Sequence, residues 1–225
     1  KALLLSEPAG TPLQERRTRS WARIFELGDP PQYEPPPETS IAARAARDGV
    51  EPAALAYDLM LQANGRALLY HPTTNYVSGS MAPVYDMLRH PNTLIGLGDG
   101  GAHVGVMCDA TDLTHTLTYW TRDRVRGDRF PLEYMVHRIT QANALAIGLT
   151  DRGTIAPGQK ADLNVIDYDR LQLGVPAIHY DLPAGGKRLL QPSVGYDATV
   201  VSGEIVWEFG RSTGRLPGRL LRRGR

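Results

Sequence analysis

The sequence predicts an α/β fold, a parallel sheet or barrel, followed by a smaller β unit. Three observations predict it. Between residues 41 and 149 helical patterns alternate with short apolar runs, the order expected when crossover helices join parallel strands. The run Thr93 to His103, TLIGLGDGGAH, sets an apolar stretch directly ahead of a glycine cluster, which reads as a buried strand running into a tight loop. After Gly153 the texture changes to turn residues and β-rich runs.

The elements follow in order. SWARIFEL, Ser20 to Leu27, reads as a short helix or strand, and the proline-rich stretch Gly28 to Ser40 as extended loop. Ser40 to Gly49 reads as the first part of a helix capped by Thr39 or Ser40. Glu51 to Asn64 reads as a second helix. Pro52 suits its first turn, Leu55, Leu59 and Met60 form its apolar stripe, and Gly65 serves as its C-cap. ALLYH, Ala67 to His71, is the next strand, and Met81 to Arg89 a short helix before the run at Thr93. Helices are then expected over Asp112 to Arg122 and Pro131 to Leu149, the second closing at Gly148. In the β-rich part, Ala161 to Tyr168 alternates as a strand does, and Ala198 to Phe209 reads as a hairpin turning at Ser202 and Gly203.

Composition narrows the function classes. The chain has 225 residues and a formal net charge of +1, so the total charge points to neither a nucleic-acid nor a membrane partner. The arginine-rich tail RLPGRLLRRGR has no basic surface elsewhere in the sequence to join it, and reads as a solvated or docked terminus. One cysteine excludes an intrachain disulfide and fits a reducing, cytoplasmic compartment. No apolar run is long enough for a transmembrane helix, and KALLLSEPAG is too short for a signal peptide. The chain does not open on Met, and is expected to be a fragment or a processed piece.

The chemistry candidates cluster around the glycines. Asp99 would sit at the end of a strand, where barrel enzymes place their reacting groups, but Asp-Gly is also a common turn pair. His103, four residues on, becomes a candidate for holding a substrate anion if it shares a mouth with Asp99. His71, at the end of the ALLYH strand, is a candidate for the same mouth. Gly96, Gly98 and Gly101 match GxGxxG, yet a dinucleotide site needs a helix directly after the glycines, then a second strand ending in an acidic residue. His103, Cys108, Asp109, Asp112 and His115 crowd together and invite a metal-site reading, although none has a zinc spacing with a second matching pair. Cys108 reads equally as a small buried hydrophobe, and Asp112 as the cap of the following helix.

From Asn75 onward the chain resembles the C-terminal half of the N-acyl-D-amino-acid deacylases, or D-aminoacylases, of the amidohydrolase superfamily. The resemblance rests on HPNTLIGLGDGGAHV, YWTRDRVRG, LTDRGTIAPGQKADLNVIDYD and TGRLPGRLLR. It implies the C-terminal part of a (β/α)8 TIM-like barrel over residues 1–152. Residues 153–225 would be part of a small β-sandwich. It further implies that Asp99 is the aspartate at the end of the last barrel strand, a metal-side residue that shuttles a proton from water to the leaving nitrogen. His103 then matches a position that contacts the substrate carboxylate. The family's zinc ligands include a His-x-His pair, and this chain has none. The remaining ligands are therefore expected upstream, in a missing N-terminal half or a partner chain.

The resulting expectation is the C-terminal portion of a zinc-dependent amidohydrolase acting on N-acyl-D-amino acids or similar N-acyl compounds. This chain is expected to be inactive alone, and self-association into a homo-oligomer is one way to cover the open edges of a partial barrel. Two rivals stand beside it. One is a non-catalytic assembly module. The other is a nicotinamide-dependent enzyme using the glycine cluster, which predicts a strand after about residue 113 that ends in an acidic residue.

Overall fold

The computed structural model describes residues 10–11, 19–76, 78–96, 98, 101 and 103–221. The chain divides into two compact units, Lys1–Met87 and Leu88–Arg225. Helices and strands are mixed in both, and every strand pairing among the described residues is antiparallel.

In the first unit SWARIFEL becomes both of its readings. A 3-10 turn at Trp21–Arg23 leads into the strand β1, Phe25–Glu26. The ALLYH run shortens to β2, Leu69–Tyr70, which pairs antiparallel with β1. Helix α1, Ile41–Asp48, begins where Ser40 accepts the Ala43 N–H and ends where Gly49 turns left-handed at φ 67°. Helix α2, Pro52–Met60, stops earlier than expected, because Ala63 and Asn64 adopt positive φ in the turn that follows. Ile24, Ile41, Ala56 and Leu59 form the core of this unit, with Trp21, Leu55 and Leu69 packed against it. Phe25, 2% exposed, meets the edge of Tyr76 at 6.0 Å.

The unit boundary falls within α3, Ala82–Arg89. The second unit contains α4, Asp112–Thr118, which runs on as a π-helical turn through Tyr119–Asp123. The single helix expected over Pro131 to Leu149 is instead two, α5 at Leu132–Ile139 and α6 at Gln141–Ala146. The break is at Thr140, whose φ of −119° and ψ of −88° are not helical.

The β-rich part of this unit builds a four-stranded sheet in the order β10-β9-β8-β3, where β3 is Leu163–Ile166, β8 Tyr196–Val201, β9 Glu204–Glu208 and β10 Arg211–Ser212. The β8–β9 hairpin turns at Ser202 and Gly203, at φ 52° and 81°, the double positive φ of a type I′ turn. Two further pairs were not foreseen: β4, Gln172–Leu173, with β7, Ser193–Val194, and β5, Ala177–Leu182, with β6, Gly186–Leu190.

The family-like stretches act as joints in this unit. Arg122 donates to the Leu171 carbonyl at 2.6 Å and to that of Tyr168, while its guanidinium lies over the Tyr168 ring at 5.2 Å. Arg124, buried, lies over Trp120 at 4.8 Å and donates to the Asp128 carbonyl at 2.8 Å. Gly153, at φ 88°, lets the chain pass α6 so closely that a Cβ there would stand 2.8 Å from the Gln141 Cα.

Candidate functional site

The segment expected to carry the chemistry leads from His90 to Gly98. Residues 93–96 pair with no strand among the described residues, so the ladder expected there is absent. Backbone groups that leave water need partners, and here side chains supply them. Arg138, buried at 8% exposure, donates through Nη2 to the His90 carbonyl at 3.3 Å and to the Thr93 carbonyl. Asn143 donates to the Ile95 carbonyl at 2.7 Å. Asp112 accepts the Gly98 N–H at 2.8 Å. Ile95, between these clamps, is 7% exposed. Helices α4, α5 and α6 thus each reach the segment through a polar side chain.

The glycines differ in what they allow. At Gly98 an added Cβ would stand 2.6 Å from the Cβ of Asp109, so only glycine fits this approach. Nothing lies within 4 Å of a Cβ built at Gly96 or Gly101. No helix opens directly after them: a turn at residues 103–106 and a 3-10 turn at Asp109–Thr111 come first. Beyond residue 113 the chain is helical rather than the strand the nicotinamide reading predicts. The dinucleotide reading loses its context on both counts.

Each proposed site residue has a definite standing. Asp99 lies outside the described residues. His103 is exposed and adopts φ 50°, and its carbonyl accepts from Val106 at 2.9 Å and Met107 at 3.1 Å, making it the hinge of the turn after the glycines. His71 belongs to the first unit and follows β2 directly. It is part-buried, and Arg23 holds the next carbonyl, that of Pro72, at 2.9 Å. Burial pushes the neighbouring Tyr70 hydroxyl up, with Tyr33 and Tyr76 adding to the shift.

The metal reading of the crowd from His103 to His115 is corrected. Among the described residues no group of three or more His, Cys, Asp or Glu side chains comes together to hold a metal ion. The side chains are otherwise engaged. Asp112 accepts two backbone N–H groups, from Gly98 and from Leu113 at 2.7 Å, but it is the first residue of α4 and not its cap: Thr111 holds the N-cap position, with no side-chain hydrogen bond. Asp109 packs against Gly98. His115 stacks on Tyr119 at 4.8 Å, and burial pushes its imidazole down to about 4, against an opposing pull from Asp123. Cys108 is part-buried rather than the buried hydrophobe.

Reasoning from sequence missed Arg138 and Asn143. One signal could have found Arg138. It lies three residues after Met135 on the buried face of α5, and a cation at an apolar-face position has to be there for a partner.

A sequence model of the Amidohydrolase family matches residues 34–207. The N-acyl-D-aspartate deacylase of Alcaligenes xylosoxydans xylosoxydans is 30% identical over 188 residues, 83% of this chain and 32% of the relative. A 5-methylthioadenosine/S-adenosylhomocysteine deaminase of Pelotomaculum thermopropionicum is 30% identical over 156 residues, 66% of this chain and 34% of the relative. The chain thus spans about a third of the length of these curated relatives. Solved structures of D-aminoacylase, one described for the functional role of its binuclear metal center, align at 24% and 25% identity with a TM-score of 0.45, covering 89% of this chain and 38% of theirs.

Proposed function

This chain belongs to the amidohydrolase family, and from that premise we propose that it is the C-terminal portion of an enzyme that hydrolyses the amide bond of N-acyl-D-amino acids or similar N-acyl compounds. The deacylase relative supports the D-aminoacylase side of the family, in line with the resemblance read from the sequence. The observation that carries the reading is the clamped approach to Asp99, in which Arg138, Asn143 and Asp112 hold one backbone segment ahead of it. A barrel built around residues 1–152 with a sandwich over residues 153–225 is part of the proposal.

Asp99 is the proton shuttle in this reading. Its carboxylate takes a proton from the attacking water and gives it to the leaving nitrogen as the C–N bond breaks. His103, exposed in the turn that follows the glycines, would meet the substrate carboxylate in this reading. The described residues do not fit a metal, since they gather no group that could hold one. The zinc that the resemblance implies would need ligands from elsewhere in the complete protein or from a partner chain.

The test is a comparison of the complete protein with Asp99→Asn on a panel of N-acyl-D-amino acids. Removing a general acid–base should lower kcat by about 10²- to 10⁴-fold. Near-normal turnover would remove Asp99 from the reaction. The deaminase relative supports a second reading, hydrolysis of an exocyclic C–N bond on an aminopurine, with the amino group leaving as ammonia. Release of ammonia from an aminopurine, with none of a free D-amino acid from the panel, would favour it.

A further inference from the structure

We propose that Lys187, on strand β6, is a specificity-determining residue that shares the substrate carboxylate with His103. The proposal rests on the reading of His103 as the carboxylate contact.

The turn that His103 opens is held by a distant hairpin. β5 and β6 form a two-stranded sheet, so one edge of β6 pairs with β5 and the other meets no strand among the described residues. A strand-edge N–H still needs an acceptor. The turn supplies one: the Leu189 N–H donates to the Val104 carbonyl at 2.6 Å. Lys187 lies two residues before Leu189 on the same strand, and its stem crosses the same turn. Its Cε stands 3.8 Å from where a Cβ of Gly105 would be, ordinary van der Waals contact. Residues 103–106 are thus tied to the backbone of β6 and touched by one of its side chains, whose charged end is the next atom along.

That charge is uncommitted. The only carboxylate of the hairpin is Asp181, and the adjacent Arg188 pairs with it at 2.6 and 2.8 Å. Lys187 is exposed and takes part in no ion pair among the described residues. A carboxylate has two oxygens, and a neutral histidine offers it a single N–H. A lysine ammonium brings three donors and a full positive charge. Bonds of that kind favour an ionised acceptor over a neutral one of the same shape. The pair of His103 and Lys187 on one turn therefore selects substrates that carry a carboxylate.

The experiment measures KM and kcat of the complete protein, Lys187→Met, Lys187→Arg and His103→Ala. The substrates are N-acyl-D-amino acids and the matching carboxamides, which keep the shape without the charge. Methionine retains the apolar stem over Gly105 and removes only the ammonium. Because Lys187 is exposed, KM of Lys187→Met for the acids should rise about 3- to 10-fold. Its kcat should stay within about twofold, as expected when the lost binding is equal in ground and transition states. KM for the carboxamides should not move, and Lys187→Arg should restore most of the loss. Added salt should raise KM for the acids in the unsubstituted protein more than in Lys187→Met.

An unchanged KM for the acids in Lys187→Met would overturn the proposal. So would a rise shared equally by acids and carboxamides, which reports a structural role for the hairpin. His103→Ala separates this failure from that of the reading beneath it. A raised KM for the acids in His103→Ala beside an unchanged one in Lys187→Met removes Lys187 alone. An unchanged KM in His103→Ala removes the carboxylate site, and Lys187 with it. No turnover of any acid by the unsubstituted protein would overturn the proposed function and this contact together.

Discussion

Two stretches of the second unit keep their backbone in order by opposite means. In the hairpin of β8 and β9, N–H and C=O groups pair across a turn, and each partner lies a few residues away along the chain. In the segment from His90 to Gly98, the partners are side chains of Asp112, Arg138 and Asn143, which lie 14 to 48 residues away. The hairpin is held by its own local sequence. The segment is held by three helices, and is only as well placed as they are. A ladder would have tied it to neighbouring strands. Side-chain clamps instead let each contact be changed by one substitution, which makes the comparison open to direct test.

The sharpest way to break it is Arg138→Met. The variant keeps most of the apolar stem but removes the donors to the His90 and Thr93 carbonyls in a buried setting. Hydrogen bonds from a charged group are worth about 1.5–3 kcal/mol each, so a loss of about 3 kcal/mol is expected in chemical denaturation. A neutral result would mean that this segment does not depend on α5.

An effect of similar size should come from pH, through the helix that carries Asp112. His115 is held neutral by burial, with its imidazole pushed down to about 4, while in the unfolded chain it titrates near its ordinary value. Between those two values the unfolded state binds the extra proton, so stability falls as pH drops through this window and the loss levels off below about 4. His115→Phe should flatten that part of the stability–pH curve and preserve the stacking on Tyr119. An unchanged slope would show that His115 already titrates normally in the folded protein.

The smallest effect is expected in the hairpin. Gly203→Ala puts a Cβ at φ 81° in open space, with nothing within 4 Å. The cost is conformational only, about 1 kcal/mol. Gly203→Asn should cost less, since asparagine tolerates the left-handed region. Thermal denaturation of the two variants separates them, and a loss for alanine as large as that of Arg138→Met would erase the contrast between the regions.

What could be read from sequence follows the same division. The Ser40 cap and the turn at Ser202 and Gly203 both depend on residues within a few positions of one another. They were legible because their hydrogen bonds close locally. The break at Thr140 and the π-helical turn after Thr118 were not, and neither was the pairing of β5 with β6, although its partners also lie close along the chain.

The candidate site shows the division most clearly. Sequence by itself singled out the glycine cluster, the family resemblance and His103 as a loop residue, because spacing and residue type are local properties. It expected a strand at Thr93, and it left a metal site between His103 and His115 as a reading that the spacing did not favour. Only the tertiary structure decided that the segment is held by Arg138, Asn143 and Asp112, and that Asp112, His115 and Asp109 are taken up by backbone hydrogen bonds, stacking and close packing. The physical reason is that a buried backbone group must find a partner, whereas which distant side chain provides it is settled when the helices pack.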